Sequence, residues 1–305
     1  MKKITLALFL LGGLATQAIA QVKPALTWKD VSKWNYNRSS ALSADGQWTA
    51  WATGPTEGDL KLIIKKTFDT LSRSYPIGAT PAMATFSKNS KYAAFKVSAK
   101  DAEVKAAKKT MKPLYDKLTI VNLADHKQTT FERVGSFAFA GEASDWIAIQ
   151  FAALESAPKD KDAAKGTDVL LYHLASKKSF NLGNVSEYAF NKAGDKLAYT
   201  IDANGQNGNG VFLRDMKTGT TTALDNDKAT YKSINWNDEG TAFALLKANK
   251  NEKYKDDVWS IIGINKINGD LTSKVIYNGI EDSNFPKGMG INNNETPYWS
   301  DDQST

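Results

Sequence analysis

The stretch FNKAGDKLAYT (190–200) carries the pattern on which the fold turns. Phe190 is a large apolar residue that can end one strand, and Leu197-Ala198-Tyr199-Thr200 can begin the next. Between them the chain is polar, with Gly194 at the tip, where glycine accepts the φ values that a tight hairpin needs. The same arrangement returns in LSADGQWTAWA (42–52), FSKNSKYAAFK (86–96), FAGEASDWIAIQ (139–150), WNDEGTAFALL (236–246) and WSDDQST (299–305). The anchors Leu42, Phe86, Phe139, Phe190, Trp236 and Trp299 stand 44, 53, 51, 46 and 63 residues apart.

Second apolar segments follow the copies, as in KLTIVNLADHKQTTF (117–131), DVLLYHLASKKSFNL (168–182), GVFLRDMKTGTTTAL (210–224) and DVWSIIGINKINGDLTSKVIY (257–277). These read as strand, polar turn, strand. Two hairpins in a unit of about fifty residues make a four-stranded antiparallel sheet, the blade of a β-propeller. The expected fold is therefore all-β, a propeller with about five blades visible and a sixth opened at Trp299 and cut short at Thr305. A blade cannot bury both faces alone, so Phe86, Phe139, Phe190 and Trp236 are expected to fill the layers between blades rather than to form an aromatic ligand platform.

Three segments break the β rhythm. Leu26 to Asn37, with Thr27 and Asp30 near its start and Trp28, Val31 and Trp34 at helical spacing, predicts a short amphipathic helix before the first blade. Ala99 to Lys112, with Asp101 four residues before Lys105, predicts a surface helix inserted in the second. SAPKDKDAAKG (156–166) predicts a polar loop in the third.

The first twenty residues place Lys2 and Lys3 before an apolar run, Ile4 to Ala15, and a small-residue site at Ala18-Ile19-Ala20, the order of a secretory signal peptide cleaved before Gln21. Residues 21–305 are then expected to be a periplasmic or secreted propeller domain of a Gram-negative bacterium, with no membrane association after cleavage. Because the sequence halts in mid-blade, it is expected to be one piece of a longer open reading frame.

The 305-residue chain contains no cysteine, which excludes disulfides, thiolate metal sites and a cysteine nucleophile. The net charge of +6 falls to +4 without Lys2 and Lys3 and mixes both signs along the chain, a solvated surface rather than a nucleic-acid footprint. The lysines at 105, 108, 109 and 112 lack interleaved aromatics and read as a solvated helix face. No Gly-x-Ser-x-Gly elbow occurs, and the two histidines, His126 and His173, have no serine motif to serve. Asp202 to Gly210 (DANGQNGNG) offers oxygen donors that calcium favours, but it lacks the acidic density and terminal glutamate of the twelve-residue calcium loop and reads equally as a long hairpin connection. No catalytic, cofactor or metal residue is assigned, and no cofactor is expected.

The repeat, read as anchor-Ser-x-Asp/Asn-Gly/Ser followed by an apolar strand, resembles the WD-repeat-like propellers of bacterial periplasmic proteins and of prolyl oligopeptidases. The block LTWKDVSKWNYNRSSALSADGQWTAWATGPTEGDLKLIIKK (26–66) looks like the start of large secreted peptidases of the prolyl oligopeptidase family, as do the lysine-rich insert near 100–117, FERVGSF (131–137) and SDWIA (144–148). The resemblance implies a non-catalytic propeller that caps an α/β-hydrolase domain of the same full-length protein and limits entry to short peptides. It also implies a serine-type peptidase parent, whose catalytic residues have no counterpart in this chain. The paired glutamates with which some members hold a substrate's amino terminus do not occur here. Two other readings differ in class: a stand-alone periplasmic propeller that binds a protein or a glycan, and a glycosidase or lyase with its site on the central channel.

Overall fold

The computed structural model describes residues 25–154, 164–250, 257–267, 272–300 and 302. The signal-peptide reading and most of the 156–166 loop fall outside the described residues. Five successive four-strand meanders follow one another. Blade 1 comprises β1 (Tyr36–Leu42), β2 (Trp48–Gly54), β3 (Leu60–Lys66) and β4 (Ser72–Gly78). Blade 2 comprises β5 (Thr85–Phe86), β6 (Tyr92–Val97), β7 (Lys117–Asn122) and β8 (Gln128–Phe131). Blade 3 is β9 (Val134–Phe139), β10 (Trp146–Phe151), β11 (Thr167–His173) and the first part of β12 (Ser179–Phe190). Blade 4 takes the rest of β12 with β13 (Lys196–Ile201), β14 (Gly210–Asp215) and β15 (Thr221–Asn226). Blade 5 is β16 (Thr230–Trp236), β17 (Phe243–Asn249), β18 (Val258–Asn265) and β19 (Ser273–Tyr277).

The expectation of separate four-stranded sheets needs one correction. β12 is twice the usual length and serves as the outer strand of blade 3 and the inner strand of blade 4, so these blades form a single seven-stranded sheet. The strand changes partner where its register shifts, from Val185 opposite Thr167 to Glu187 opposite Thr200. Gly183 and Asn184 stand at this changeover, and Asn184 takes the left-handed region (φ 55°), yet the ladder continues on both sides of it.

The apolar layers lie between blades, as the repeat requires. Ala50, Leu62 and Ile64 of blade 1 meet Ala93, Phe95 and Val121 of blade 2. Ala94, Leu118 and Ile120 on the opposite face of blade 2 meet Ile147 and Ile149 of blade 3. Ala148 and Leu171 then meet Leu197 and Tyr199, and Ala198 and Val211 meet Phe243, Leu245 and Ile262. Side chains alternate across a strand, so a second strand covered on both faces reads as an unbroken apolar run that includes small alanines (YAAF, WIAI, LAY, FALL). Each fully buried Leu, Ile or Phe in these layers contributes about 1.5–3 kcal/mol.

The anchors pack backwards onto the preceding blade: Phe86 on the first layer, Phe139 on the second, Phe190 on the third and Trp236 on the fourth. Leu42 differs. It is 63% exposed, because among the described residues no sheet stands before blade 1 to receive it. At the other end, Trp236 Nε1 donates to the carbonyl of Ala189 at 3.0 Å, and Trp299 Nε1 donates to that of Asn235 at 3.1 Å. Trp299 thus takes towards blade 5 the place that Trp236 takes towards blade 4.

After the anchors Leu42, Phe86, Phe190 and Trp236 the next residue closes the turn. Ser43, Ser87, Asn191 and Asn237 each donate their amide to the carbonyl five residues on. Their side chains accept the returning amides: Ser43 Oγ from Trp48, Ser87 Oγ from Tyr92, Asn191 Oδ1 from Gly194 and Lys196, Asn237 Oδ1 from Thr241 and Ala242. The tip lies in the left-handed region in all four, at Gly46, Ser90, Gly194 and Gly240.

The helix expected over Leu26 to Asn37 is shorter than the pattern suggested. Only α1 (Trp28–Val31) is helical, started by Asp30, whose carboxylate accepts the amide and hydroxyl of Thr27, and the chain is already in β1 at Tyr36. Trp28 and Trp34 remain exposed, so no packing extends the helix beyond one turn. The inserted helix forms as α2 (Asp101–Thr110), with Lys105 2.6 Å from Asp101 and the amide of Asp101 donating to Asp59 Oδ1 of the PTEGD loop.

Candidate functional site

Antiparallel meanders send alternate connections to opposite rims. One rim carries the turns that follow the first and third strand of each blade, and these are short. Neighbouring turns on it are bonded blade to blade: Asp45 N–H to Ser90 Oγ (3.2 Å), Lys88 N–H to Ser144 Oγ (2.9 Å), Glu142 N–H to the Lys192 carbonyl (2.8 Å) and Asn191 Nδ2 to the Gly240 carbonyl (3.4 Å). The opposite rim carries the connections after the second strand, whose described parts include α2, 152–154, 164–166 and 202–209, and the long run 278–298. The insertions therefore gather on one rim.

The first strands are the innermost, since β1 touches β5 and β12 touches β16. They are stitched to their neighbours by polar bonds. Ser39 Oγ donates to the Ala82 carbonyl (2.8 Å), Lys96 Nζ to the Gly135 carbonyl, and Ser136 Oγ lies 3.2 Å from the Tyr188 hydroxyl. Glu187 Oε2 accepts the Ile234 amide (3.2 Å), and Asn235 Nδ2 donates to the Pro297 carbonyl (2.8 Å). Burial pushes the Tyr188 phenol upward, so it stays protonated. This polar inner collar, with the long-loop rim above it, is the candidate functional region.

The histidines sit on the tight-turn rim. His126 occupies the left-handed region (φ 58°) in the turn after β7, not an extended strand, and its ring meets Trp48 of blade 1 edge-on at 6.0 Å. Burial, with Arg73 and Lys66 nearby, lowers its pKa against a smaller opposing effect of Asp125, so the imidazole is neutral near pH 7. It lines a recess of about 720 Å³ between blades 1 and 2 with Trp48, Lys66, Arg73, Tyr92 and Leu123. His173 packs edge-on against Trp146 at 4.8 Å, and its Nδ1 accepts the amide of Ser176, whose hydroxyl lies 3.0 Å away. That serine–histidine contact closes a turn three residues long in sequence. The two histidines belong to different blades, and among the described residues neither meets a nucleophile with an orienting acid.

In the 202–210 loop the oxygens close the hairpin on itself. Asp202 Oδ2 accepts the amide of Lys165, Asp202 Oδ1 accepts from Asn209 Nδ2, and Asn209 Oδ1 accepts from the Ala203 amide. Groups of three or more acidic or imidazole side chains suited to a metal do not occur among the described residues.

Sequence reasoning missed a buried ionic cluster at the junction of blades 4 and 5. Asp225 accepts from Tyr231 Oη (2.7 Å), Lys247 Nζ (2.9 Å) and Lys274 Nζ (2.7 Å), while Lys247 also bonds Asp227 at 2.8 Å. Burial works to raise the Asp225 carboxyl, but these donors outweigh it and hold it below the ordinary range. Burial likewise opposes, and the two aspartates override, a change in Lys247, whose pKa ends above its usual value. The one available signal was Lys247 itself, a charge inside the apolar run FALLKAN.

The sequence matches no known protein-family model and no curated protein. Solved structures that follow a similar backbone course include a prolyl endopeptidase, with 13% identity and a TM-score of 0.45 over 80% of this chain and 42% of that one. The β-propeller domain of the Trilobed protease from Pyrococcus furiosus gives 13% identity and a TM-score of 0.42, over 80% and 72% of the two chains. TolB from Acinetobacter baumannii gives 12% and 0.36, over 81% and 54%. The chain spans less than half the length of the prolyl endopeptidase.

Proposed function

We propose that this chain is the propeller part of a secreted serine peptidase, which restricts access of peptides to an α/β-hydrolase domain contributed by the rest of the same protein. The observation that carries the reading is the division between the rims. Tight turns joined blade to blade make one rim even and stiff, suited to seating on a second domain. The other rim gathers the long loops over a polar collar, suited to sorting what enters. Residues 26–66, 131–137 and 144–148, with their resemblance to secreted prolyl oligopeptidase family peptidases, supply the reaction class. Residues 1–20 support export.

The parent protein and a variant lacking residues 25–305 should be compared on substrates of increasing length, from chromogenic dipeptides to casein. The reading expects the intact parent to favour short peptides and the shortened form to lose that preference. Equal length preference in both would sink it. A reading frame with no hydrolase, together with capture of a periplasmic protein or a glycan, would favour a binding propeller instead.

A further inference from the structure

Two recesses adjoin on the long-loop rim beside blade 5. One, of about 610 Å³, is walled by Val258, Ile280, Phe285, Met289 and Ile291. The other, of about 470 Å³, receives Lys165, Lys228, Lys232 and Lys250. Asp257 and Trp259 line both. An apolar recess and a cationic one thus share the indole of Trp259 as a wall.

Among the described residues none of the four lysines forms a salt bridge, whereas Lys196 of blade 4 and Lys247 and Lys274 of blade 5 all do. Lys232 is positioned by other means: its Nζ donates to the Asn293 carbonyl and lies 4.8 Å from the centre of the Trp259 ring. Of the two described acids on the wall, Asp202 is engaged by the Lys165 amide and by Asn209, which leaves Asp257 to oppose an incoming anion. A few convergent charges beside an apolar hollow are the usual composition of a small-ligand site.

We propose that these recesses bind a short peptide by its carboxyl end, the free α-carboxylate facing Lys228, Lys232 and Lys250 and a large apolar last side chain lying against Phe285 and Met289. The choice of a peptide over other carboxylates rests on the peptidase reading above. The chemistry rests on the recesses alone. A charge-assisted bond needs the ionised carboxylate, and the attraction weakens as salt screens it.

The test is titration of the full chain at low salt, followed by calorimetry and tryptophan fluorescence, with Gly-Gly-Phe as the free acid, the same peptide as its C-terminal amide, and decanoate. The free acid should bind at least ten-fold more tightly than the amide, and 0.5 M salt should weaken it. A Lys228→Gln/Lys250→Gln double variant should lose about ten-fold affinity while its thermal midpoint stays unchanged, and Phe285→Ala should weaken the peptide too. Equal affinity for acid and amide, or no binding of either, overturns the proposal. Decanoate bound in preference to the peptide overturns the choice of ligand. Binding is read without hydrolysis, so a negative result here leaves the gating proposal to stand or fall on the length-preference experiment.

Discussion

Trp299 donates its indole N–H to the carbonyl of Asn235, 3.1 Å away, and Asn235 immediately precedes the anchor Trp236. Trp236 in turn bonds Ala189, immediately before the anchor Phe190. Phe139 and Phe190 pack at the equivalent place without an indole N–H, so the bond is an addition to the apolar contact and can be removed separately. Trp236→Phe should cost about 1 kcal/mol, the ordinary net value of such a bond. Trp236→Ala should cost about 3 kcal/mol, near the low end for aromatic truncation because the side chain is only half-buried. Urea unfolding midpoints measure both; a Phe variant as weak as the Ala variant would mean that the bond, not the packing, dominates.

Equivalent glycines of the repeat should tolerate a methyl group very differently. Gly46 and Gly194 have nearly the same backbone angle, φ 69° and 79°. A Cβ on Gly46 meets nothing within 4 Å, whereas one on Gly194 would fall 2.2 Å from the Ala140 carbonyl oxygen, where the turns of blades 3 and 4 interlock. Gly46→Ala should cost about 1 kcal/mol for the left-handed backbone alone. Gly194→Ala should cost clearly more, on the order of 3 kcal/mol, since backbone must move. Thermal melts of the two variants decide the point, and equal losses would contradict it.

The ionic cluster makes the junction of blades 4 and 5 sensitive to acid. Asp225 and Asp227 have folded pKa values below their unfolded ones, the latter chiefly through Lys247. The Thr218 amide, with Lys196 adding to it and partial burial opposing, holds Asp215 at about 2. A depressed carboxylate binds fewer protons when folded, so its stabilisation is complete above about pH 4 and drains away as pH falls towards 2. Asp225→Asn should flatten this acid limb and cost about 3 kcal/mol at neutral pH, because Lys247 and Lys274 lose a buried partner. Urea midpoints collected between pH 2 and 7 provide the readout; an unchanged acid limb in the variant would exclude Asp225 as its source.

Purified protein of residues 21–305 should turn over neither proline-containing nor generic dipeptide chromogenic substrates. His126 and His173 are engaged with Trp48 and Ser176 on separate blades, and among the described residues neither faces a hydroxyl with an acid behind it. Activity that persists after rigorous removal of host peptidases and is lost on His173→Gln would reverse this assignment.

The repeat was legible because each hairpin is specified locally. The side chain of Ser43, Ser87, Asn191 or Asn237 holds its own turn, and the strands it joins alternate or run apolar according to whether their faces are covered. The exposure of Leu42 was not legible, since burial of an anchor depends on the blade before it. Nor was the merger at β12: Gly183-Asn184 is a turn-type pair between blades 3 and 4, and only the structure shows the ladder continuing through it. The Asp225 cluster unites residues from four strands, β15, β16, β17 and β19, and the lysine-lined recess unites residues far apart in sequence. Neither leaves a spacing that one sequence can reveal.

β12 gives the molecule an uneven mechanical grain. At the other junctions a connection intervenes between outer and inner strands, so one blade can detach while its neighbour keeps its ladder. Across Ser179–Phe190 one backbone is bonded to β11 along its first half and β13 along its second. Opening either blade therefore strips hydrogen bonds from a strand the other still uses, and blades 3 and 4 should open together as one cooperative unit. Native-state amide exchange would then report a single opening free energy from β9 to β15, bracketed by blades 2 and 5 that exchange on their own schedules.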